Sequence, residues 1–331
     1  MSPASTAPVT LGGLQSGIED RLAMVGDQIN RLIEADFPLI ALANSHLTRM
    51  RGKMFRPTMV LLADEAVGGG RDPRSVVLAA VVELIHLATL VHDDAVDHSV
   101  LRRGMPTLNA LFSHQVAVIM GDYLYSRAVI ELVRMGDLDA LRVLSRVTNQ
   151  MTIGEMRQLL AHDPLAFSEA DYDLLISAKT ASLLAGACEV GGLRGSAAER
   201  EALRRYGEGL GMAFQIVDDL LDFTGAESDT GKPAGQDLRE HKVTLPLIYA
   251  LPRMAAGPRS RVAALLDNPE PREAEIAGVV EAVAECGGLE YARARAQAFC
   301  AAAEQALEGL RPSPAREQLR AGLTYVLERR N

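Results

Sequence analysis

The chain has 331 residues, of which 48% are hydrophobic and 23% charged, with a formal net charge of -9. That balance excludes a disordered chain, and an acidic protein without a long basic run does not suit nucleic acid or an anionic membrane as its main partner. Three scattered cysteines, Cys188, Cys286 and Cys300, offer neither a disulfide framework nor metal-ligand spacing and read as small buried hydrophobes of a reducing compartment.

The opening segment MSPASTAPVTLGG has neither the basic start nor the apolar core of a signal peptide, so residues 1–14 read as a mobile tail and 15–331 as the folded part. From there apolar residues recur at helical spacing without sustained alternation, which predicts an all-α protein. Clusters of glycine, proline, aspartate and serine at 68–74, 102–107, 161–171, 224–237 and 267–273 predict the breaks between helices of roughly ten to twenty-five residues. No change of composition separates two halves, so a single-domain helical bundle is expected, with its site between facing helices. The apolar run from Ser75 to Val91 approaches membrane-spanning length. Glu83 and His86 interrupt it and an acidic cluster follows, which predicts a core helix of a cytoplasmic protein with no transmembrane segment.

That acidic cluster, HDDAVD, carries Asp93, Asp94 and Asp97; a second with the same spacing, VDDLLD, carries Asp218, Asp219 and Asp222. Residues four apart share a helix face, and like charges there cost roughly 0.2–0.5 kcal/mol per pair, more when partly buried. Such clusters need a counter-ion. An all-oxygen donor set favours Mg²⁺, which binds through one or two carboxylates plus substrate phosphates, and this implies a phosphorylated substrate. One cluster alone reads equally well as a solvated acidic face; two, each following an apolar run (LIHLATLV and AFQIV), do not.

Cations stand beside these motifs, in loops at helix ends: Lys53 and Arg56 in GKMFRP, Arg102 and Arg103 in LRRG, Lys179 in AKTASL, and Lys232 and Lys242 after the second cluster. Arginine offers a planar fork for bidentate phosphate contact and lysine a compact point charge. His86 lies seven positions before Asp93, two turns away on the same face, within reach of a bound anion.

GKMFRP (52–57), the stretch from Glu83 to Asn109, GDYLYSRA (121–128), KTASLLAGACEVGG (179–192), GMAFQIVDDLLDFTG (211–225) and GKPAGQDLREHKVTLPLIYAL (231–251) follow one another in an order that resembles the trans-isoprenyl diphosphate synthases of the polyprenyl synthetase family, in particular its long-chain members. The resemblance implies an isoprenoid-synthase type of all-α bundle with a central cavity, a homodimer, and three Mg²⁺ ions with bound diphosphate. It implies that an allylic diphosphate ionises, that the carbocation alkylates isopentenyl diphosphate, and that a proton leaves. Asp93, Asp97 and Asp218 would ligate metal directly, with Asp94, Asp219 and Asp222 ligating or acting through water. Arg102, Lys179, Lys232 and Lys242 would hold the allylic diphosphate, and Lys53, Arg56, His86 and Arg103 the isopentenyl diphosphate. Thr180 and Gln215 would lie near the reacting carbons. The chain departs from the family pattern at His241, where glycine is usual, and at Gln236, where asparagine or aspartate is common.

Product length would be set where a growing chain meets a plug, since each five-carbon unit buried is worth about 4 kcal/mol at about 0.8 kcal/mol per CH₂. In short-chain members a bulky aromatic stands four or five positions before the first aspartate. Here those positions are Thr89 and Ala88, followed down the helix by Ile85 and Val82, so an open tunnel and a product of about six to ten isoprene units are expected. A plug from a facing helix (Met120, Tyr123, Leu124, Tyr125 or Ile130) would instead give geranylgeranyl or farnesyl diphosphate. A class I terpene cyclase also carries DDxxD but lacks the basic blocks, and a noncatalytic synthase subunit tends to lose aspartates; all six are present.

Overall fold

The computed structural model describes residues 9–50, 52–70, 72–159, 164–224 and 235–329. Its helices begin and end where the chain is punctuated. After α1 (Leu11–Gln15), α2 (Glu19–Ile33), α3 (Pro38–Arg49) and α4 (Phe55–Ala66) comes α5 (Pro73–Val96), whose N-terminus is capped by the Asp72 carboxylate accepting from the Arg74 amide. Pro73 in the first turn adds a preset φ. Helix α5 is apolar on nearly every side, and it is correspondingly enclosed by α2, α4, α7 (His114–Met135) and α10 (Ser182–Gly191).

Helix α8 (Leu138–Leu159), α9 (Glu169–Ile176) and the wholly buried α10 lead into the 28-residue α11 (Ala197–Thr224). The short α12 (Gln236–Arg239) and α13 (Leu245–Ala250) follow, then α14 (Ala256–Asp267), α15 (Glu273–Glu285), α16 (Gly288–Leu307) and α17 (Pro314–Glu328). Helix α11 packs on α10, α16 and α17. One large apolar core runs through α2, α4, α5, α7, α10 and α11, and a smaller one joins Phe223 and Leu238 to α13, α14 and α15.

Some details differ from the sequence reading, within an all-helical bundle. The chain is already helical at Leu11, where Thr10 Oγ1 accepts from the Gly13 amide and Leu14 is buried, so the segment up to 14 is not all tail. Strand is present as a two-residue antiparallel pair, β1 (Leu101–Arg102) and β2 (Met105–Pro106), turned by Arg103 and Gly104, both at positive φ. Helix α11 is longer than the expected range, and α1, α6 (Leu108–Leu111), α12 and α13 are shorter. Two segments, Pro73–Val96 and Glu169–Arg194, are long and apolar enough to cross a membrane, but 61% and 67% of their most apolar windows are buried inside the bundle. Lys232 lies outside the described residues.

Candidate active site

The first acidic cluster ends α5. Asp97 caps the helix, its amide donating to the Asp93 carbonyl at 2.8 Å. The β1–β2 hairpin then folds back and sets Arg102 Nε 2.9 Å from both oxygens of the buried Asp94. Asp94 is thereby committed to an arginine, which leaves Asp93 and the exposed Asp97 as the carboxylates free to meet a ligand. Burial pushes the Asp93 carboxyl up to about 6; Lys179 opposes that shift, and Glu155 and Asp97 reinforce it.

The second cluster, on α11, shows the same division of labour. Asp219 is buried, accepting from Tyr172 Oη at 2.5 Å and from Gln215 Nε2 at 2.8 Å. Thr180 Oγ1 donates to Gln215 Oε1 at 2.9 Å, so a hydrogen-bonded chain from Thr180 through Gln215 to Asp219 fixes the amide's orientation. Burial, with Asp237 and Asp218 nearby, raises the Asp219 carboxyl well above its ordinary value. Asp222 accepts the amides of Gln236 and Asp237 at 3.0 and 3.1 Å and so caps the re-entering α12. Asp218 is exposed and pairs with Arg329 Nη2 at 2.9 Å; the same guanidinium stacks 3.8 Å over Phe214.

Between the clusters stands a π-helical turn, Ser177–Ala181, which carries Lys179 and Thr180. A Cβ on Gly211 of α11 would lie 2.5 Å from Ala181 Cα, so only glycine lets α11 come this close to the turn. Lys179 Nζ lies 2.6 Å from Glu155 Oε2, 3.8 Å from Asp93 Oδ2, and donates to Gln158 Oε1 at 3.1 Å. Asp97, Arg102, Lys179, Asp218, Asp222 and Lys242 face a common cavity of about 760 Å³, whose walls also include apolar Phe167, Leu175, Ile176 and Leu221. Burial works against the Lys242 charge, but Glu240 at 2.6 Å, Asp237 and Asp97 outweigh it and raise its pKa.

A second basic group lies where α4 starts beside α5. Arg56 Nη1 is 2.9 Å from His86 Nε2; since guanidinium can only donate, His86 accepts here and is neutral, with its proton on Nδ1. Burial first, then Arg56, Arg103 and Arg102, hold the imidazole well below its ordinary value. Arg103 donates to the Met50 carbonyl at 2.9 Å and lies across Gly52, where a Cβ would meet its guanidinium at 3.0 Å. Lys53 is exposed beside them. Arg56, His86 and Arg103 are thus gathered apart from the larger cavity, with the Glu83 carboxylate, one turn before His86 on α5, acting on Arg56.

Thr89 is half-buried and donates to the His86 carbonyl at 2.8 Å, whereas Ala88, Ile85 and Val82 are 3%, 2% and 0% exposed within the main core and do not line the large cavity. On α7, Met120 and Leu124 are buried, Tyr123 Oη donates to the Ile33 and Glu34 carbonyls, and Tyr125 and Ile130 face outward. His241, at φ 56, is held in a left-handed conformation by its Nε2 contact with the Asn268 carbonyl at 2.9 Å, which explains how a non-glycine residue serves there. Gln236 donates to Glu240 Oε1 at 2.7 Å.

Sequence reading did not single out Glu155, Gln158, Tyr172, Asp237 or Arg329. Asp237, pushed up to about 7 by burial and Asp222, had a signal: a carboxylate fifteen residues past Asp222 between two lysines already noted. The others act through partners distant in sequence, such as Arg329 and Asp218, which no local spacing reveals.

Comparison with known proteins gives one answer. Residues 38–283 match the family model described as polyprenyl synthetase. The chain is 37% identical over 324 residues to heptaprenyl diphosphate synthase component 2 of Geobacillus stearothermophilus, covering 96% of this chain and 99% of that one. It is also 37% identical over 294 residues to a short chain isoprenyl diphosphate synthase of Methanothermobacter thermautotrophicus, covering 87% and 89%. A crystal structure of a polyprenyl synthase from Caulobacter crescentus, complexed with calcium and isoprenyl diphosphate, superposes with a TM-score of 0.92 at 35% identity, over 98% of this chain and 100% of that one.

Proposed function

Because the chain belongs to the polyprenyl synthetase family, whose members are trans-prenyltransferases, we propose that it condenses isopentenyl diphosphate head-to-tail with an allylic diphosphate, farnesyl or geranylgeranyl, to give a long-chain all-trans polyprenyl diphosphate. The observation that carries this reading is the convergence of both acidic clusters with Lys179, Arg102 and Lys242 on one cavity. Carboxylates alone would repel a diphosphate, and cations alone would not need six aspartates.

The donor set fits Mg²⁺: Asp93 lies 3.8 Å from Lys179, Asp97 is exposed, and Asp218 gives one oxygen to Arg329, so each keeps hard oxygen for an ion, whereas Asp94, Asp219 and Asp222 have both oxygens spent on Arg102, on Tyr172 with Gln215, and on backbone amides. Asp93, Asp97 and Asp218 would hold the ions, three by family resemblance, and Asp94, Asp219 and Asp222 would orient the helices that present them. Bound there, Mg²⁺ supplies neutralisation of charge on a departing diphosphate. Arg102, Lys179, Lys242 and Lys232 would grip the allylic diphosphate, and Lys53, Arg56, His86 and Arg103 the isopentenyl diphosphate. Arg102 would then have to share its fork with Asp94. Thr180 and Gln215 line the cavity, where the hydroxyl and carbonyl oxygens, already hydrogen-bonded to each other, would steady positive charge on the reacting carbons. The diphosphate leaving group is the proposed acceptor of the final proton.

A long product is favoured by the absence of an aromatic at Ala88 and Thr89 and by the likeness to a heptaprenyl synthase component. The packed stripe below Ala88 means that the tunnel must open as the product grows. Geranylgeranyl or farnesyl diphosphate synthase is the second reading, favoured by the buried Met120 and Leu124 on the facing helix and by equal identity to a short-chain enzyme. Homodimerisation and a cytoplasmic location are part of the proposal. Incubating the purified protein with Mg²⁺, isopentenyl diphosphate and a farnesyl or geranylgeranyl starter, then sizing the dephosphorylated products, tests it. Alcohols of thirty carbons or more are expected; a ladder ending at fifteen or twenty moves the reading to the second one, and cyclic hydrocarbons overturn both.

A further inference from the structure

Helix α8 meets the π-helical turn through two adjacent residues that belong to none of the acidic or basic motifs. At Gly154 an added Cβ would lie 2.9 Å from Ala178 Cβ and 3.2 Å from the Lys179 amide nitrogen, so α8 sits against the backbone of the turn. At Glu155 the side chain reaches over to Lys179, Oε2 to Nζ 2.6 Å, while the nearer Asp93 oxygen is 3.8 Å from the same ammonium. One turn later Gln158 offers Oε1 at 3.1 Å. The second Glu155 oxygen, Oε1, is buried and has no hydrogen-bond partner among the described residues.

An ammonium has three N–H donors on a flexible stem. Left alone, Lys179 would collapse onto the partly buried Asp93, the nearest carboxylate of the first cluster, and cover it. Glu155 and Gln158 take two of its donors from the α8 side and leave the third toward the cavity. With Oε1 unsatisfied, the lysine is what stabilises the Glu155 charge, so each member of the pair fixes the other.

We propose that Glu155 is a positioning residue for Lys179: with Gln158 it holds the ammonium clear of Asp93 and aims its remaining donor at the diphosphate of the allylic substrate. This rests on the reading of Lys179 as a diphosphate ligand. It assigns to α8 a part in selecting the allylic substrate and none in binding isopentenyl diphosphate, whose proposed ligands lie beside α4 and α5.

The test is a double-mutant cycle on the full chain, with Glu155→Gln, Lys179→Gln and the pair. The first readout is calorimetric binding of farnesyl S-thiolodiphosphate with Mg²⁺; the second is the KM for each substrate against kcat. Glu155→Gln is expected to weaken thiolodiphosphate binding about tenfold, the size of one charge-assisted hydrogen bond, and to leave the KM for isopentenyl diphosphate unchanged. Added to Lys179→Gln, it is expected to change nothing further, because its effect passes through the lysine. Glu155→Asp, which keeps the charge and draws it back by one methylene, should recover part of the affinity. Equal losses in both backgrounds, unaltered binding, or a parallel rise in both KM values overturns the proposal. Should Glu155→Gln fail to fold, Gln158→Met removes the second acceptor at similar volume and is expected to weaken binding about threefold, again only when Lys179 is present; an equal loss without Lys179 also overturns it. Wild-type protein that neither binds the thiolodiphosphate nor transfers prenyl groups contradicts the functional reading itself, a failure distinct from additivity in the cycle.

Discussion

Six aspartates at matching spacing are not six equivalent groups. Asp94, Asp219 and Asp222 have both oxygens engaged by protein donors, whereas the half-buried Asp93 lies 3.8 Å from Lys179, Asp97 faces the cavity, and Asp218, also on the cavity wall, gives one oxygen to Arg329 at 2.9 Å. Replacing Asp218 by Asn is therefore expected to cut kcat by about 10²–10³-fold, in line with loss of one electrostatic group at a developing charge, with little change in melting temperature. Steady-state kinetics beside a thermal melt checks this; unaltered kcat contradicts the assignment. His86 carries a pH signature. Its folded pKa is depressed, so the unfolded chain takes up the proton first, and the neutral pair with Arg56 contributes stability that is present above about pH 6.5 and is lost as pH falls below it. The excess in melting temperature of the ligand-free protein over its His86→Gln variant should shrink between pH 7.5 and 5.5, and an excess that grows on acidification contradicts the neutral assignment.

At the scale of elements, the site depends on close backbone approach around the π-helical turn. Gly211→Ala would place a Cβ 2.5 Å from Ala181 Cα, and no flexible side chain is there to yield. The expected cost is about 1–3 kcal/mol by overpacking, read from denaturant unfolding, with a rise in the allylic KM as Lys179 shifts. Helix α5 and helix α11 were legible because long periodic or wholly apolar runs end in acidic clusters and turn residues. The hairpin was not, because a two-residue pair turned by Arg103 and Gly104 has no alternating pattern to read. The π turn was equally silent: SAKTA looks like ordinary helix, and what bends it is contact with α8 and α11.

Over the whole molecule, the bundle brings the ends of α5, α9 and α11 and the start of α12 around one cavity while its core stays packed down to Val82. The all-helical bundle, the two clusters and most of the cations were readable from sequence, since each is a local pattern. The closed stripe at Ala88, Ile85 and Val82 was not, because small residues in sequence leave space only if facing helices do not fill it. Replacing Ala88 by Phe puts a ring into that stripe, with an expected product of fifteen or twenty carbons by mass spectrometry; an unchanged length removes α5 from the product path.

The central claim is that both clusters act through one diphosphate, and the binding of farnesyl S-thiolodiphosphate with and without Mg²⁺, to wild type and to Asp93→Asn and Asp218→Asn, tests it most directly. Saturable binding that requires Mg²⁺ and is weakened by either substitution is the predicted result. Binding that ignores Mg²⁺, or that survives loss of one cluster unchanged, would contradict it.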